Sequence, residues 1–178
     1  PIAASFGFSQ ARAGAEMAHH LLAQGYRRIG YIGSLGGLDL RAQKRFEAFQ
    51  RTVRAAGAAL VDVTRAESAS SMVAGRRMTA AVLGRRDPPE AIYFANDDLA
   101  AGALMHCLAE GVDVPQDVAL AGFNGLDFLS ALPKRVTTTL TPRFDIGAAA
   151  ARWILNPEAG DTARVHDLGS VLRPGDTT

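Results

Sequence analysis

The chain has 178 residues, of which 48% are hydrophobic, and a formal net charge of +1. This length and hydrophobic content exclude a disordered chain and predict one domain or two small lobes. The nearly balanced charge gives no indication that this stretch itself binds nucleic acid. Cys107 is the only cysteine, which excludes an internal disulfide framework and suits a reducing compartment. No apolar run approaches the roughly 20 residues of a membrane span, and residues 1–5 lack the pattern of a secretory signal.

Predicted helices and strands alternate along the chain. Ser9 has the chemistry of an N-cap for the first helix, and Gly25 follows its end. In chain order, apolar spacing and the glycine and proline stop signals predict helix 10–24, strand 28–32, helix 40–56, strand 60–64, helix 72–86, strand 91–95, helix 99–110, strand 118–123, strand 136–141, helix 143–155 and a last strand around 164–168, with loops at 33–37 and 68–71 and a frayed polar tail at 173–178.

The spacing of these elements predicts how the sheet is built. Strands about 30 residues apart, separated by amphipathic helices, are typical of right-handed βαβ units and a parallel sheet. Ligands of open parallel sheets bind beyond the carboxyl ends of the strands. We therefore expect a ligand site at the loops 33–41, 65–71, 95–98 and 123–127.

Sequence patterns for common catalytic and cofactor sites are missing. The chain has no nucleophile elbow, no phosphate-binding loop and no dinucleotide fingerprint. His19 and His20 are adjacent, so on a helix they point about 100° apart and do not easily share a metal. Cys107 is expected to be a small core residue. The missing patterns do not exclude an enzyme, but they favour a protein that is not an enzyme and that uses no cofactor and no metal.

Two arginines near the start of the second predicted helix could hold an anionic ligand. Arg41 and Arg45 are four residues apart and therefore project from one helix face. Their guanidinium groups could bind a carboxylate or vicinal hydroxyls through paired hydrogen bonds. The alternative is that both are solvated arginines on an exposed face.

Polar residues follow two predicted strands at the expected ligand edge. Asn96 can donate and accept hydrogen bonds, which suits a polyol hydroxyl, but the Asn96-Asp97-Asp98 turn could simply cap the next helix. Asn124 ends the next strand, where it could instead be a turn residue before a glycine. Phe144, near the start of helix 143–155, could cover a ligand or belong to the core.

Several motifs occur together in one order. They are L-L-A-Q-G-Y-R-R-I-G-Y-I-G at 21–33, R-F-E-A-F at 45–49, A-N-D-D-L-A-A-G-A-L at 95–104, G-V-D-V-P-Q-D-V-A-L-A-G-F-N at 111–124 and T-T-L-T-P-R-F-D-I-G at 138–147. As a set they resemble the effector-binding domain of LacI/GalR-family transcription repressors, over nearly the whole chain. Gluconate-operon repressors are the most similar subgroup. One departure is Ser9-Gln10, where many relatives have Asp-Asn.

The resemblance implies an α/β fold of the periplasmic-binding-protein-like type I, with parallel sheets flanked by helices in two lobes around a cleft. It implies a complete C-terminal lobe and a truncated N-terminal lobe, because a helix-turn-helix domain, a hinge helix and the first half of the N-terminal lobe would precede this chain. The implied division is 1–26 as a remnant of the N-terminal lobe, 27–135 as the C-terminal lobe, 136–160 as the crossover and helix returning to the N-terminal lobe, and 161–178 as the last strand of the C-terminal lobe and the tail.

The resemblance also implies roles for individual residues. Arg45 corresponds to the arginine that holds effector hydroxyls, and Arg41 and Asn96 correspond to positions that face the pocket. Asn124 stands where relatives usually have Asp, and this change fits an anionic ligand because a carboxylate beside Asp would be repelled. Phe144 matches an aromatic residue that often borders the cleft.

The resulting hypothesis is a cytoplasmic, homodimeric LacI-family repressor whose effector-sensing domain binds a sugar or a sugar acid such as gluconate. Effector bound between the lobes would change the affinity for operator DNA, which an N-terminal helix-turn-helix domain outside this chain would contact. The rival hypotheses are a solute-binding protein for a sugar and a small α/β sugar-metabolising enzyme.

Overall fold

The computed structural model describes residues 4–34, 38–67, 69–155 and 165–178. Parts of the predicted loops (35–37 and 68) and residues 156–164 of the predicted crossover and last strand lie outside these ranges. The elements are β1 (Ser5–Gly7), α1 (Gln10–Ala23), β2 (Arg28–Gly33), α2 (Leu40–Ala55), β3 (Ala59–Arg65), α3 (Met72–Leu83), β4 (Ala91–Phe94), α4 (Asp97–Glu110), β5 (Ala119–Ala121), a 3-10 helix (Asp127–Ala131), β6 (Thr138–Leu140), α5 (Arg143–Leu155), β7 (Val165–Asp167) and β8 (Val171–Arg173).

The main sheet has four strands, which are parallel and lie in the order β3-β2-β4-β5. All four residues of β4 are buried, as are all residues of β2 after its first, because helices cover both faces of a parallel sheet. Two smaller sheets pair β1 with β7 in parallel and β6 with β8 antiparallel. The predicted α/β fold with a parallel sheet flanked by helices is confirmed.

Glycines allow two pairs of helices to approach closely. A Cβ atom on Gly75 of α3 would lie 2.2 Å from the Leu99 carbonyl oxygen, and one on Gly102 of α4 would lie 2.0 Å from the Met72 carbonyl oxygen. Gly14 of α1 is similar, since its Cβ would lie 2.1 Å from the Arg45 carbonyl oxygen of α2. The backbones of α3 and α4, and of α1 and α2, therefore touch directly.

The position of α1 differs from the predicted division of the chain. Segment 1–26 is predicted to be a remnant of the N-terminal lobe, but Met17 and Leu21 of α1 are fully buried in the same core as the four-stranded sheet. The close approach at Gly14 also ties α1 to α2. Within 1–26, therefore, α1 belongs to the unit built on the main sheet, because its apolar stripe is buried there.

The predicted frayed tail at 173–178 is wrong. Thr177 is fully buried, and its hydroxyl donates to the Leu120 carbonyl oxygen at 2.6 Å and accepts from the Thr137 amide at 3.0 Å. Asp176 pairs with Arg135 at 2.6 Å. The tail is ordered because these contacts hold it beside β5, where the Leu120 amide also donates to the Thr177 carbonyl oxygen at 2.8 Å.

Other expectations agree with the structure. Ser9 caps α1 by accepting from the Arg12 amide, and Cys107 is fully buried in α4 as a core residue. Burial raises the pKa of the Cys107 thiol to about 11. In the parts of the chain that the structure describes, no helix combines the length and apolarity required to cross a bilayer.

Candidate functional site

A cavity of about 380 Å³ lies at the carboxyl ends of the parallel strands, where the sequence predicts a ligand site. Its charged and polar lining consists of Arg41, Arg45, Arg143, Asp39, Gln10, Asn96, Asn124, Ser34, Ser70 and Thr141. Phe8, Phe123 and Ile146 contribute apolar walls. Three arginines against one aspartate make the lining positive, and the amides and hydroxyls supply donors and acceptors for a polyol.

Arg45 is the most tightly positioned of these arginines. Only 6% of the residue is exposed, and its Nη2 donates to the Ala95 carbonyl oxygen at 2.8 Å. Its Nη1 donates to Oε1 of Gln10, and its guanidinium carbon lies 3.6 Å from the centre of the Phe123 ring. These contacts hold the guanidinium plane and leave its other N–H donors for a ligand. The alternative of a solvated arginine is wrong for Arg45.

Arg41 lies one helical turn before Arg45 and is in a different environment. Its side chain is 81% exposed, and its Nε lies 3.8 Å from Oδ1 of Asp39. That carboxylate caps α2 by accepting from the amides of Arg41 and Ala42. Arg41 lines the cavity, but among the described residues its side chain has only the weak pairing with Asp39 to restrain it.

Asn96 lines the cavity and also caps α4. Its Oδ1 accepts from the Leu99 amide at 3.2 Å, and its Nδ2 donates to the Ser70 hydroxyl. The capping alternative is therefore confirmed for Asn96. Because both ends of the amide already have partners, Asn96 brings Ser70 into the cavity wall more than it offers a free group.

Asn124 lines the cavity from an unusual backbone conformation. Its φ is 118°, and it is the one non-glycine residue with positive φ among those described. Its amide donates to Thr139 and its carbonyl oxygen accepts from Thr141. No partner for its side-chain amide is found within the described ranges, so this group remains available to a ligand in the cavity.

Phe144 does not line the cavity, although the resemblance suggests that it borders the cleft. It is 85% exposed on α5. Arg143 and Ile146 lie three residues apart, on one helix face, and both line the cavity, so Phe144 projects about 100° away from that face. The structure therefore brings Arg41, Arg45, Asn96 and Asn124 together and leaves Phe144 outside.

Sequence reasoning did not single out several lining residues as ligand contacts. Gln10 lies 35 residues before its partner Arg45, and no local pattern reports such a contact. Arg143 stands inside a motif that was recognised, and its helical spacing to Ile146 could have identified it. Ser70 lies in the predicted ligand loop 65–71 and Thr141 in the motif at 138–147, but neither position alone indicated a ligand contact.

Asp97 connects α4 to the segments that lead out of the main sheet. It is fully buried, and its carboxylate accepts from the Thr138 hydroxyl at 2.7 Å and from the Leu126 amide at 2.8 Å. Burial raises the pKa of Asp97, and these hydrogen bonds oppose the rise. Among the described residues, no group of three or more His, Cys, Asp or Glu side chains could hold a metal ion.

Comparisons with known proteins identify the family. Residues 18–178 match a family model described as a periplasmic binding protein-like domain. An HTH-type transcriptional regulator GntR from Pseudomonas aeruginosa is 38% identical over 177 residues, which are 97% of this chain and 50% of that protein. The protein of the same name from Escherichia coli is 33% identical over 173 residues, or 95% of this chain and 51% of that protein. The chain thus spans about half the length of the curated relatives that it matches.

Solved structures give the same result. A LacI-family regulator from Silicibacter pomeroyi superposes with a TM-score of 0.92 at 38% identity, covering 99% of this chain and 54% of that one. The transcription regulator GntR from Chromobacterium violaceum gives a TM-score of 0.88 at 37% identity, covering 97% and 64%. The chain therefore belongs to the periplasmic binding protein-like family, and it is similar to transcriptional regulators named GntR and to a LacI-family regulator.

Proposed function

We propose that the cavity binds a sugar acid, gluconate or a close analogue, whose carboxylate pairs with Arg45. The observation that carries this proposal is the placement of Arg45, a buried guanidinium that has two fixed hydrogen bonds and lines the cavity. Arg41 and Arg143 add positive charge to the cavity. Asn124 is neutral, whereas an aspartate at this position would repel an anionic ligand. The resemblance to gluconate-operon repressors points to the same ligand class.

The cavity joins two parts of the molecule that are held differently. Arg45 and Asn96 belong to elements packed on the main sheet, whereas Arg143 and Ile146 belong to α5. No residue of α5 is buried. A ligand that contacts Arg45 and Arg143 at once would favour one orientation of α5 relative to the main sheet.

In the complete protein this change of orientation would alter operator affinity. In this proposal the complete protein is a cytoplasmic homodimer, and an N-terminal helix-turn-helix domain of each subunit contacts operator DNA. Effector would change operator affinity only through its different affinities for the two orientations. The curated relatives are named as transcriptional regulators, which favours a sensor over a sugar-metabolising enzyme or a transport protein.

Calorimetric titration of the complete protein with D-gluconate and D-sorbitol tests this proposal. Sorbitol has the same six-carbon polyol chain without the carboxylate, so it is a matched control for the charge. We expect gluconate to bind and to change operator-DNA affinity, and sorbitol to do neither. Equal binding of the two ligands would show that the arginines do not recognise a carboxylate.

A further inference from the structure

A second cavity, here called the Arg65 cavity, adjoins the proposed effector cavity. Its volume is about 270 Å³, and it shares Ser34, Asp39 and Ala42 with the effector cavity. Tyr31, Phe46 and Arg65 form its remaining principal walls. The two cavities therefore adjoin along this shared lining, where a ligand longer than a simple monosaccharide would have to pass from one to the other.

Arg65 is exposed at the end of β3, and the face of its guanidinium lies over two aromatic rings. The guanidinium carbon lies 4.5 Å from the ring centre of Phe46 and 5.7 Å from that of Tyr31. Stacking of this kind fixes the plane and leaves the N–H edge free. Across the described parts of the chain, no hydrogen bond or ion pair uses the Arg65 side chain. The free edge has the geometry of a fork for a carboxylate or a phosphate.

Tyr31 adds a neutral donor to the same cavity. Only 3% of Tyr31 is exposed. Burial, with a contribution from Tyr93, raises the pKa of the Tyr31 hydroxyl to about 12, although the charges of Arg45 and Arg65 oppose the rise. The hydroxyl therefore keeps its proton at neutral pH and can donate to an anion without adding a negative charge.

Asp39 gives the shared wall the opposite charge. Its carboxylate caps α2 and lies 3.8 Å from the Arg41 guanidinium. A carboxylate there disfavours an anion in the middle of the ligand and can accept hydrogen bonds from hydroxyl groups. Along the two cavities the charge is positive at Arg45, negative at Asp39 and positive again at Arg65.

We propose that the Arg65 cavity binds a second anionic group at the far end of the effector. The effector class is then a sugar acid with hydroxyl groups in the middle and an anion at each end, either a dicarboxylic sugar acid or a phosphorylated aldonic acid. This inference rests on the proposed function, because it places the first carboxylate at Arg45. Arg65 and Tyr31 would bind the second group, and Asp39 would accept from the hydroxyls between them.

Calorimetric titrations of the complete protein with D-gluconate, D-glucarate and 6-phospho-D-gluconate test the inference. The variants are Arg65→Gln and, as a matched control, Arg51→Gln, which removes one charge from an exposed position of α2 without a hydrogen bond or ion pair among the described residues. We expect glucarate or 6-phosphogluconate, each with an anionic group at both ends, to bind about tenfold more tightly than gluconate, and Arg65→Gln to remove that advantage while leaving gluconate affinity within about twofold. Arg51→Gln should change neither affinity.

Glucarate and 6-phosphogluconate distinguish the chemical source of the second group. Preference for glucarate indicates a carboxylate, and preference for the phosphorylated acid indicates a phosphate; either preference supports the Arg65 cavity if Arg65→Gln abolishes it. Gluconate affinity that equals or exceeds the affinities of both other acids overturns the inference and leaves the proposed function standing. A preference for either of these acids over gluconate that survives Arg65→Gln also overturns it. Failure of all three acids to bind contradicts the proposed function as well.

Discussion

The helices α4 and α5 are packed very differently, although the N-cap of α4, Asn96, and the first turn of α5 line the same cavity. Eight residues of α4 are buried against the main sheet and α3, whereas α5 has none. Near the end of α5, Ile154 and Leu155 are 68% and 77% exposed, and Trp153 makes an edge contact with Phe6 of β1, with ring centres 6.2 Å apart. The main-sheet region therefore fixes the geometry of the site, and in the proposed mechanism α5 is the wall that a ligand repositions.

Alanine at two helix glycines should show the difference between these regions most strongly. In Gly102→Ala the new Cβ would meet the Met72 carbonyl oxygen at 2.0 Å, so we expect the free energy of unfolding to fall by about 3 kcal/mol. A Cβ added to Gly147 of α5 would have no neighbour within 4 Å, so Gly147→Ala should raise it by up to about 1 kcal/mol through helix propensity. Urea unfolding followed by circular dichroism measures both, and similar small changes would contradict the difference in packing.

The two arginines on α2 provide the next largest effect. Arg45→Ala removes a buried guanidinium that has two fixed hydrogen bonds, so we expect gluconate affinity to fall about 100-fold. Arg41→Ala, one turn earlier on the same helix, should lower it only about threefold, because that side chain is 81% exposed. Titration calorimetry gives both values. Equal losses would mean that burial and positioning do not decide which arginine binds the acid.

Gln10 should have a smaller effect, through Arg45. It is the first residue of α1 and accepts from Nη1 of Arg45, so Gln10→Ala should lower gluconate affinity about tenfold while the melting temperature changes little. Gln24→Ala, at the exposed C-terminal end of the same helix, is the matched control and should leave affinity unchanged. A Gln10→Ala variant with unaltered affinity would show that Arg45 does not need this orienting contact.

The smallest expected effect is a pH dependence due to Asp97. Burial raises the pKa of Asp97 in the folded chain above the ordinary value of 3.8, so the folded state holds this proton more tightly than the unfolded state. The contribution of Asp97 to stability should therefore fall as pH rises from 3.8 through the folded pKa. Denaturant unfolding at several pH values should show the natural chain losing stability relative to Asp97→Asn over this interval. The opposite slope would mean that the Thr138 and Leu126 hydrogen bonds outweigh burial.

Local patterns predicted the regular elements well where their end signals are local. Helix 143–155 matches α5. Helix α4 begins at Asp97, two residues before the predicted start, because Asn96 is its N-cap. Strand 118–123 is shorter in the structure because the amides of Gly122 and Asn124 donate to Thr137 and Thr139 instead of to β4. The strands β1 and β8 and the order of the tail depend on partners far along the chain, which local patterns do not report.

For the candidate site, the sequence predicted the location of the cavity but not the environment of every side chain in it. The rule that parallel strands present their carboxyl ends to ligands located the cavity, and helical spacing placed Arg41 and Arg45 on it. The burial of Arg45 could not be predicted, because it depends on Gln10, Ala95 and Phe123 from three separate segments. Phe144 was misplaced because the resemblance gives a position on α5 but not the direction of its side chain.

A crystal structure of the complete protein with D-gluconate would show whether Arg45 binds the carboxylate of the effector. We expect the ligand in the effector cavity, with a carboxylate oxygen about 2.7–2.9 Å from a guanidinium nitrogen of Arg45 and the same molecule in contact with Arg143 of α5. A ligand whose carboxylate points away from Arg45, or one bound outside this cavity, would contradict it.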